Sequence, residues 1–337
     1  MSPPLVTVLI DTYNYGQYVE EAVQSVLAQD FPVEQREILV VDDGSTDDTA
    51  ERLRKFGDAI TYLRKPNGGQ ASAFNFGFER ARGGIVALLD ADDYWLPGKL
   101  SRVAEEFAKH PDAGMVYHGI RQYNVQKGNF EDHRPQLLSG FLPANARDLL
   151  GYEWYPTSFL AFRRTAIAPL LPIPEALTIQ ADGYLTGLLV FLAQVVAVPE
   201  YLAVYRVHGA NLFAGHFDRN RQNLRIKTRK ALIDSMTAWL SEHGYNLERM
   251  DLRMLLQKWD VEHEAEQFAL ARPGNVQFSR HLMRYAHCHG PVMTWRHRTV
   301  TYINAASSLV VGYKNVQRLD GWRVAIRRAL QGPRQPM

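Results

Sequence analysis

Cysteine occurs once in the 337 residues, as Cys288. One thiol excludes an intramolecular disulfide framework and a cysteine-only zinc site, and it fits a reducing compartment. Long hydrophobic runs are also missing. The longest uncharged stretch, Leu185 to Val198, is interrupted by Thr186, Gly187 and Gln194 and is too short to span a bilayer. No basic n-region or apolar h-region precedes Leu5, so no secretory signal is expected. Internal repeats and low-complexity tracts are absent. The expectation is a cytoplasmic protein of ordinary globular composition, long enough for one large or two ordinary domains.

Net charge is small as well, at +2, but it is unevenly spread. Residues 291–337 hold eight cationic side chains against Asp320 alone, giving +7. The remainder holds 30 basic and 35 acidic residues, giving −5. A basic tail on an acidic body fits an anionic partner for the tail. Within it, Trp322, Ala325, Ile326, Ala329 and Leu330 share one helical face, with Arg323, Arg327 and Arg328 off it. That 322–330 segment fits two roles equally: a helix lying in an anionic membrane interface, or one packed on the rest of the protein. Its aromatics do not alternate with basic residues as in a nucleic-acid-binding module, so no nucleic acid is expected.

Strand and helix patterns alternate through the first hundred residues. Strands are expected at Leu5–Ile10, Ile38–Val41, Ile60–Leu63 and Ile85–Leu89. Between them, Val19, Ala22, Val23, Val26 and Leu27 mark one helix and Ala71, Phe74, Phe78 and Ala81 another. A capping box at Ser45 and Asp48 would open a third helix, running through Leu53 and Phe56, and Pro97 a fourth. Single helices between strands imply right-handed crossovers and a mostly parallel sheet. Later strands are expected near Met115–Tyr117, Ser158–Phe162, Val195–Val198 and Leu202–Tyr205, with a helix at Asp182–Leu192 and a polar loop over 124–143. Beyond Phe213 the character changes to amphipathic helices near 218–242, 247–271 and 276–288. These fit either a bundle shaping an acceptor site or a homodimer contact.

Ligands of open α/β sheets bind beyond the carboxyl ends of the strands. Here those ends are acidic: Asp11, then Asp42 and Asp43, then Asp90, Asp92 and Asp93. Clustered carboxylates repel one another unless a cation or hydrogen-bond donors compensate. Three acidic ends on one edge point to a divalent cation and a phosphate-bearing ligand. A Rossmann-type oxidoreductase is the enzyme rival. However, Asn14-Tyr15-Gly16-Gln17-Tyr18 lacks the close-packed glycines that let a pyrophosphate approach a helix N-terminus. The second alternative is a catalytically inactive nucleotide-sugar-binding protein.

Four segments occur in order: Val8–Asn14, Val40–Asp47, Asn67-Gly68-Gly69-Gln70 with Asn75 and Gly77, and Asp90–Asp93. Together they resemble the N-terminal half of a family 2 glycosyltransferase. The resemblance spans about residues 5–212 and implies a GT-A (Rossmann-like) α/β fold with a mostly parallel central sheet, followed by a mainly helical C-terminal region. It divides the chain into a catalytic domain at 1–215 and a helical region at 216–337. Within the first, 1–112 would bind the nucleotide sugar and 113–215 the acceptor.

The resemblance also implies residue roles. Asp11 and Tyr13 would flank the base of a nucleoside-diphosphate sugar, UDP-linked, Asp43 would hydrogen-bond that base, and Asp90 would reach the ribose. Asp92 and His208, the latter in Tyr205–Asn211, would hold Mg²⁺ or Mn²⁺. Asp182 would be the general base of an inverting transfer to a hydroxyl acceptor, although Ala181 stands where the family usually has Glu. A saccharide or lipid-linked acceptor in bacterial surface polysaccharide or glycolipid assembly follows. So does a place in the cytoplasm or at the inner face of the membrane. Asp93 and Arg206 are left with two readings each: a turn cap or a ligand for Asp93, and a phosphate or carboxylate partner for Arg206.

Overall fold

The fold is described from a computed structural model, which describes residues 5–133, 137–211, 219–270, 274–291, 293 and 295–311. The expected 322–330 helix lies outside these residues. Strands β1 (Val6–Thr12), β2 (Arg36–Asp42), β3 (Thr61–Arg64) and β4 (Ile85–Asp90) alternate with α1 (Gly16–Leu27), α2 (Thr49–Leu53) and α3 (Gln70–Arg80). The three central strands are apolar on both faces because helices cover both. Val8, Ile10, Val40 and Leu89 share one core cluster with Val19, Val23 and Val26 of α1. Strand β1 pairs in parallel with β2 and β4, and β2 with β3.

The second half of the sheet is mixed. After β5 (Tyr94–Trp95) and α4 (Lys99–Lys109) come β6 (Ala113–Asn124), β7 (Asn129–His133) and α5 (Ala146–Gly151). Then follow β8 (Leu160–Arg163), α6 (Arg164–Ile167), α7 (Ala181–Leu189), β9 (Gln194–Val207) and α8 (Arg219–Glu242). Sheet order is β3-β2-β1-β4-β8-β6-β9-β5, with β7 on β6. Strand β8 runs antiparallel to both β4 and β6, whereas β9 is parallel to β6. The sheet is therefore mostly parallel, as expected, with β8 inserted backwards. As a result, the start of β8, rather than its end, lies at the acidic edge.

Three expectations change. The 124–143 segment opens with the β6–β7 hairpin, turned at Gly128 with φ 64°. The two extended pieces near 195 and 202 form one strand, with a shift of register at Pro199-Glu200, where proline has no N–H for a ladder. The Ser45–Asp48 capping box does not form. Instead Asp47 accepts the Thr49 N–H (3.1 Å) and the Gly16 N–H (2.9 Å), tying the starts of α2 and α1 together. Gly83 brings the α3–β4 connection against β1. A Cβ there would lie 2.4 Å from the Thr7 nitrogen, which is backbone and cannot yield. Gly83→Ala should lower unfolding stability by about 1–3 kcal/mol, read from a thermal or denaturant melt.

The chain divides into two compact units, Met1–Tyr245 and Asn246–Met337. The sequence expectation ended the catalytic domain at 215, whereas the first unit runs on through α8. Helix α8 buries Leu232, Ile233, Met236 and Leu240 and packs against α7. Tyr245 closes it by donating from its hydroxyl to the Phe191 carbonyl (3.0 Å). The second unit contains α9 (Met250–Leu270), α10 (Asn275–Cys288) and α11 (Trp295–Val311), the last of which had no clear sequence signal. Cys288 is buried there, and burial pushes its thiol up to about 11, leaving it unreactive. No helix among the described residues is long and apolar enough to cross a membrane.

Candidate functional site

Register alone brings distant acids together. Asp11 stands opposite Asp90 on β4, and Thr12 opposite Asp42 on β2. Burial, and then the charges of Asp92 and Asp182, push Asp11 up to about 7, while interaction with Asp90 opposes the rise. Burial, followed by repulsion from Asp11, raises Asp90 well above the carboxylate range. One oxygen of Asp11 is buried with no hydrogen-bond partner.

The turn after β4 separates three acids into three situations. Asp93 is buried and fully engaged: Oδ2 accepts from the Ser158 hydroxyl (2.6 Å) and Oδ1 from the Arg206 N–H (2.8 Å). Asp93 therefore ties the turn to β8 and β9, which decides its role. Asp92 instead faces the end of β9. Its Oδ2 lies 3.0 Å from His208 Nε2 and 3.4 Å from Asn211 Nδ2. Asn211 fixes this corner, accepting the His208 N–H and donating to the Arg206 carbonyl (both 2.7 Å). The His208 ring is buried against Tyr18 and Tyr15, at 4.7 and 5.8 Å between centroids. Arg206 pairs with Glu21 at 2.7 Å and lies over Tyr18 and Tyr94, so its partner is a carboxylate.

The donor set fits a divalent cation. Asp90, Asp92 and Asp93 each offer a carboxylate oxygen within 4.8 Å of the others. Asp93 is turned to Ser158 and the Arg206 N–H, so Asp92 and His208 would hold the ion with Asp90 beside them. Carboxylates suit Mn²⁺ or Mg²⁺, and an imidazole beside them favours Mn²⁺ of the two.

Asp43 closes the other side of the edge. Its carboxylate accepts from Lys65 Nζ (2.6 Å), the Gly69 N–H (2.7 Å) and the Gly68 N–H (3.0 Å). Gly69 has φ 84°, and a Cβ there would lie 2.6 Å from the Thr178 α-carbon, so only glycine fits. Asp42 beside it is structural, accepting from Ser45 N–H (2.7 Å) and the Tyr62 hydroxyl (2.6 Å). Tyr13, just past the end of β1, is 46 % exposed.

Asp182 sits in the first turn of α7, where the helix end favours a carboxylate. Preceding it, Gln180 holds φ 65°, a left-handed conformation that is strained in a non-glycine residue. Asp182 Oδ2 accepts the N–H and hydroxyl of Thr157 (3.1 and 3.2 Å), and Oδ1 accepts the Gly183 N–H (2.8 Å). Burial raises its pKa, and those hydrogen bonds oppose the rise. Ala181, where a second acid was expected, is buried, and Gln70 Oε1 accepts its N–H (3.0 Å). Thr157, Ser158, Lys65 and Lys99 escaped sequence reading. Only the Pro156 turn ahead of an apolar strand hinted at the first two.

The model of the family described as Glycosyl transferase family 2 matches residues 7–170. An uncharacterized glycosyltransferase of Nostoc is 37 % identical over 219 residues, covering 61 % of this chain and 66 % of that protein. An uncharacterized glycosyltransferase of Mycoplasma pneumoniae is 41 % identical over 108 residues, covering 31 % of this chain and 36 % of that protein. The chain thus spans less than two thirds of the length of these relatives. Among solved structures, Staphylococcus aureus TarS 1–349 in complex with UDP aligns with TM-score 0.61 and 19 % identity, over 95 % of this chain and 91 % of that one. Mannosyltransferase PcManGT of Pyrobaculum calidifontis, in complex with GDP-Man and Mn²⁺, aligns with TM-score 0.54 and 18 % identity, over 98 % and 88 %. Fold, motif order and family match agree: the chain has the GT-A fold, and its residues 7–170 belong to glycosyltransferase family 2.

Proposed function

We propose that the protein transfers a sugar from a uridine-diphosphate donor to a hydroxyl acceptor, with inversion at the anomeric carbon. The observation that carries this is that Asp182, on α7, is bonded to Thr157, while the adjacent Ser158 is bonded to the Asp90 N–H and to Asp93 at the end of β4. The donor edge and the base therefore share one site without sharing a loop. The acceptor oxygen attacks the anomeric carbon as the bond to the diphosphate oxygen breaks. The bonding electrons leave with the diphosphate, and the acceptor proton passes to Asp182. Of its two oxygens, Oδ1 accepts a single hydrogen bond and has room for that proton.

Asp92 and His208 would hold the cation and Asp90 would reach the ribose. A bound cation would supply Lewis-acid stabilisation of the departing diphosphate. Asp11 and the exposed ring of Tyr13 flank the base, and Asp43 reads it. Lys65 Nζ, the Gly69 N–H and a Gly68 N–H shared between both oxygens already make four contacts to the Asp43 carboxylate, so a base N–H would take the place of one of them, the long Lys65 side chain being the donor that can move. UDP should bind at least about tenfold tighter than GDP in calorimetry, the difference of one charge-assisted hydrogen bond. Equal affinities would remove the uridine assignment.

A saccharide or lipid-linked saccharide, in surface polysaccharide or glycolipid assembly at the inner face of the membrane, completes the proposal. A panel of nucleotide sugars assayed for transfer and hydrolysis, with Mn²⁺ and with EDTA, tests it. Turnover of a UDP-sugar that EDTA stops is expected. A panel in which a donor binds but none turns over would return the inactive binding-protein reading.

A further inference from the structure

Two consecutive residues outside every recognised motif touch both working halves of the site. Thr157 and Ser158 lie in the turn that opens β8, and both are buried. Because β8 runs against β4, with Ala161 opposite Ala87 and Phe162 opposite Val86, its first residues meet the end of β4. Thr157 directs its N–H and its hydroxyl to one oxygen of Asp182. Its hydroxyl oxygen accepts from Gln70 Nε2 (3.2 Å), and Gln70 Oε1 in turn holds the Ala181 N–H. That orients the hydroxyl hydrogen toward Asp182.

Ser158 faces the other way. Its hydroxyl donates to Asp93 and accepts the Asp90 N–H (3.1 Å), and its carbonyl accepts from the Lys99 ammonium. Lys99 is wholly buried over the face of Trp95, 4.4 Å from the ring centroid, and burial pushes its amine well below the ordinary lysine range, against the attraction of Asp93. A buried lysine and a buried aspartate, each bonded to the same serine, make a rigid post, since buried polar groups are costly once their partners are removed.

We propose that Thr157-Ser158 is a positioning dipeptide that fixes the base and the cation-holding turn relative to one another. Thr157 sets the aim of Asp182, while Ser158, with Asp93 and Lys99, sets the turn that carries Asp90 and Asp92. Neither side chain touches the reacting atoms. The inference rests on the transferase reading above and adds a division of labour that the motifs do not contain.

That division is the test. In the full chain, Thr157→Val keeps the shape and the backbone donor but removes the hydroxyl. It should lower kcat about 10-fold or more, with donor KM and Mn²⁺ affinity within twofold of wild type, and Thr157→Ser should restore most of the loss. Ser158→Ala should weaken Mn²⁺ binding about 10-fold or more, read by Mn²⁺ titration without turnover, and raise donor KM, while kcat at saturating Mn²⁺ and donor holds within threefold. Unfolding midpoints identify any variant that fails to fold. For such a variant, Asp93→Asn replaces Ser158→Ala and Gln70→Glu replaces Thr157→Val, with the same two patterns expected. With wild type active, variants that lose kcat and Mn²⁺ affinity together, or lose neither, overturn the dipeptide's role. A wild type that turns over no donor overturns the transferase reading instead.

Discussion

Asp182→Asn should leave donor and Mn²⁺ binding intact and lower transfer by about 10²–10⁴-fold, the range that a positioned general base supplies. The amide keeps the size of the side chain and can still accept from Thr157, so the first turn of α7 should survive. What it cannot do is take a proton from the acceptor hydroxyl. The pH profile gives a second reading of the same residue. Burial raises the Asp182 pKa above the ordinary carboxylate value. Only the deprotonated form is a base, so kcat should climb with rising pH through that elevated pKa and then level off. The Asp182 charge in turn helps to raise Asp11 and Asp90, the carboxylates at the ends of β1 and β4. In Asp182→Asn the limb should vanish from whatever rate remains. An unchanged rate and an unchanged limb would remove Asp182 from the reaction.

Asp92→Ala should abolish cation dependence rather than shift it. Among the three acids of the turn, Asp93 is spent on Ser158 and Arg206, whereas Asp92 meets the His208 imidazole across 3.0 Å. Removing Asp92 leaves the imidazole without its charged partner and the diphosphate without a fixed counter-charge. Lewis-acid stabilisation of such a leaving group is worth several kcal/mol, so kcat/KM should drop by about 10³-fold or more. Mn²⁺ titration of the variant should show no tight site. Asp93→Ala would also lose activity, but with a lower unfolding midpoint, because it strands the buried Lys99. Equal, saturable Mn²⁺ binding in wild type and Asp92→Ala would move the cation elsewhere.

Much of this site was legible because its acids end apolar strands. Val86 to Leu89 can only be a covered strand, and whatever follows a covered parallel strand lies at the ligand edge. That reasoning located Asp11, Asp43, Asp90 and Asp92 before any coordinates. It could not rank the acids, because rank depends on which hydrogen-bond donors fold against each. Asp93 and Arg206 were decided by partners more than a hundred residues from one end of the pair or the other. Thr157 and Ser158 were invisible for a different reason. Small hydroxyl residues in a turn carry no periodic signal, and their meaning depends on β8 entering the sheet backwards. Extra elements such as the β6–β7 hairpin and α11 were missed where polar and apolar residues follow neither a period of two nor one of 3.6.

The irregular pairing at Pro199-Glu200 has a consequence well away from where it occurs. Between Val198 and Tyr201, β9 advances three residues while β6 advances one, and between Tyr201 and Val204 it advances three against two. These offsets meter how much chain reaches the far end of the strand. With the present count, Arg206 offers its N–H to Asp93 and His208 its ring to Asp92. A one-residue deletion carried along β9 would put Val207 where Arg206 stands and Gly209 where His208 stands, with every face reversed. The bulge is therefore a length gauge for the cation corner. Changes of sequence there should be tolerated far better than changes of length.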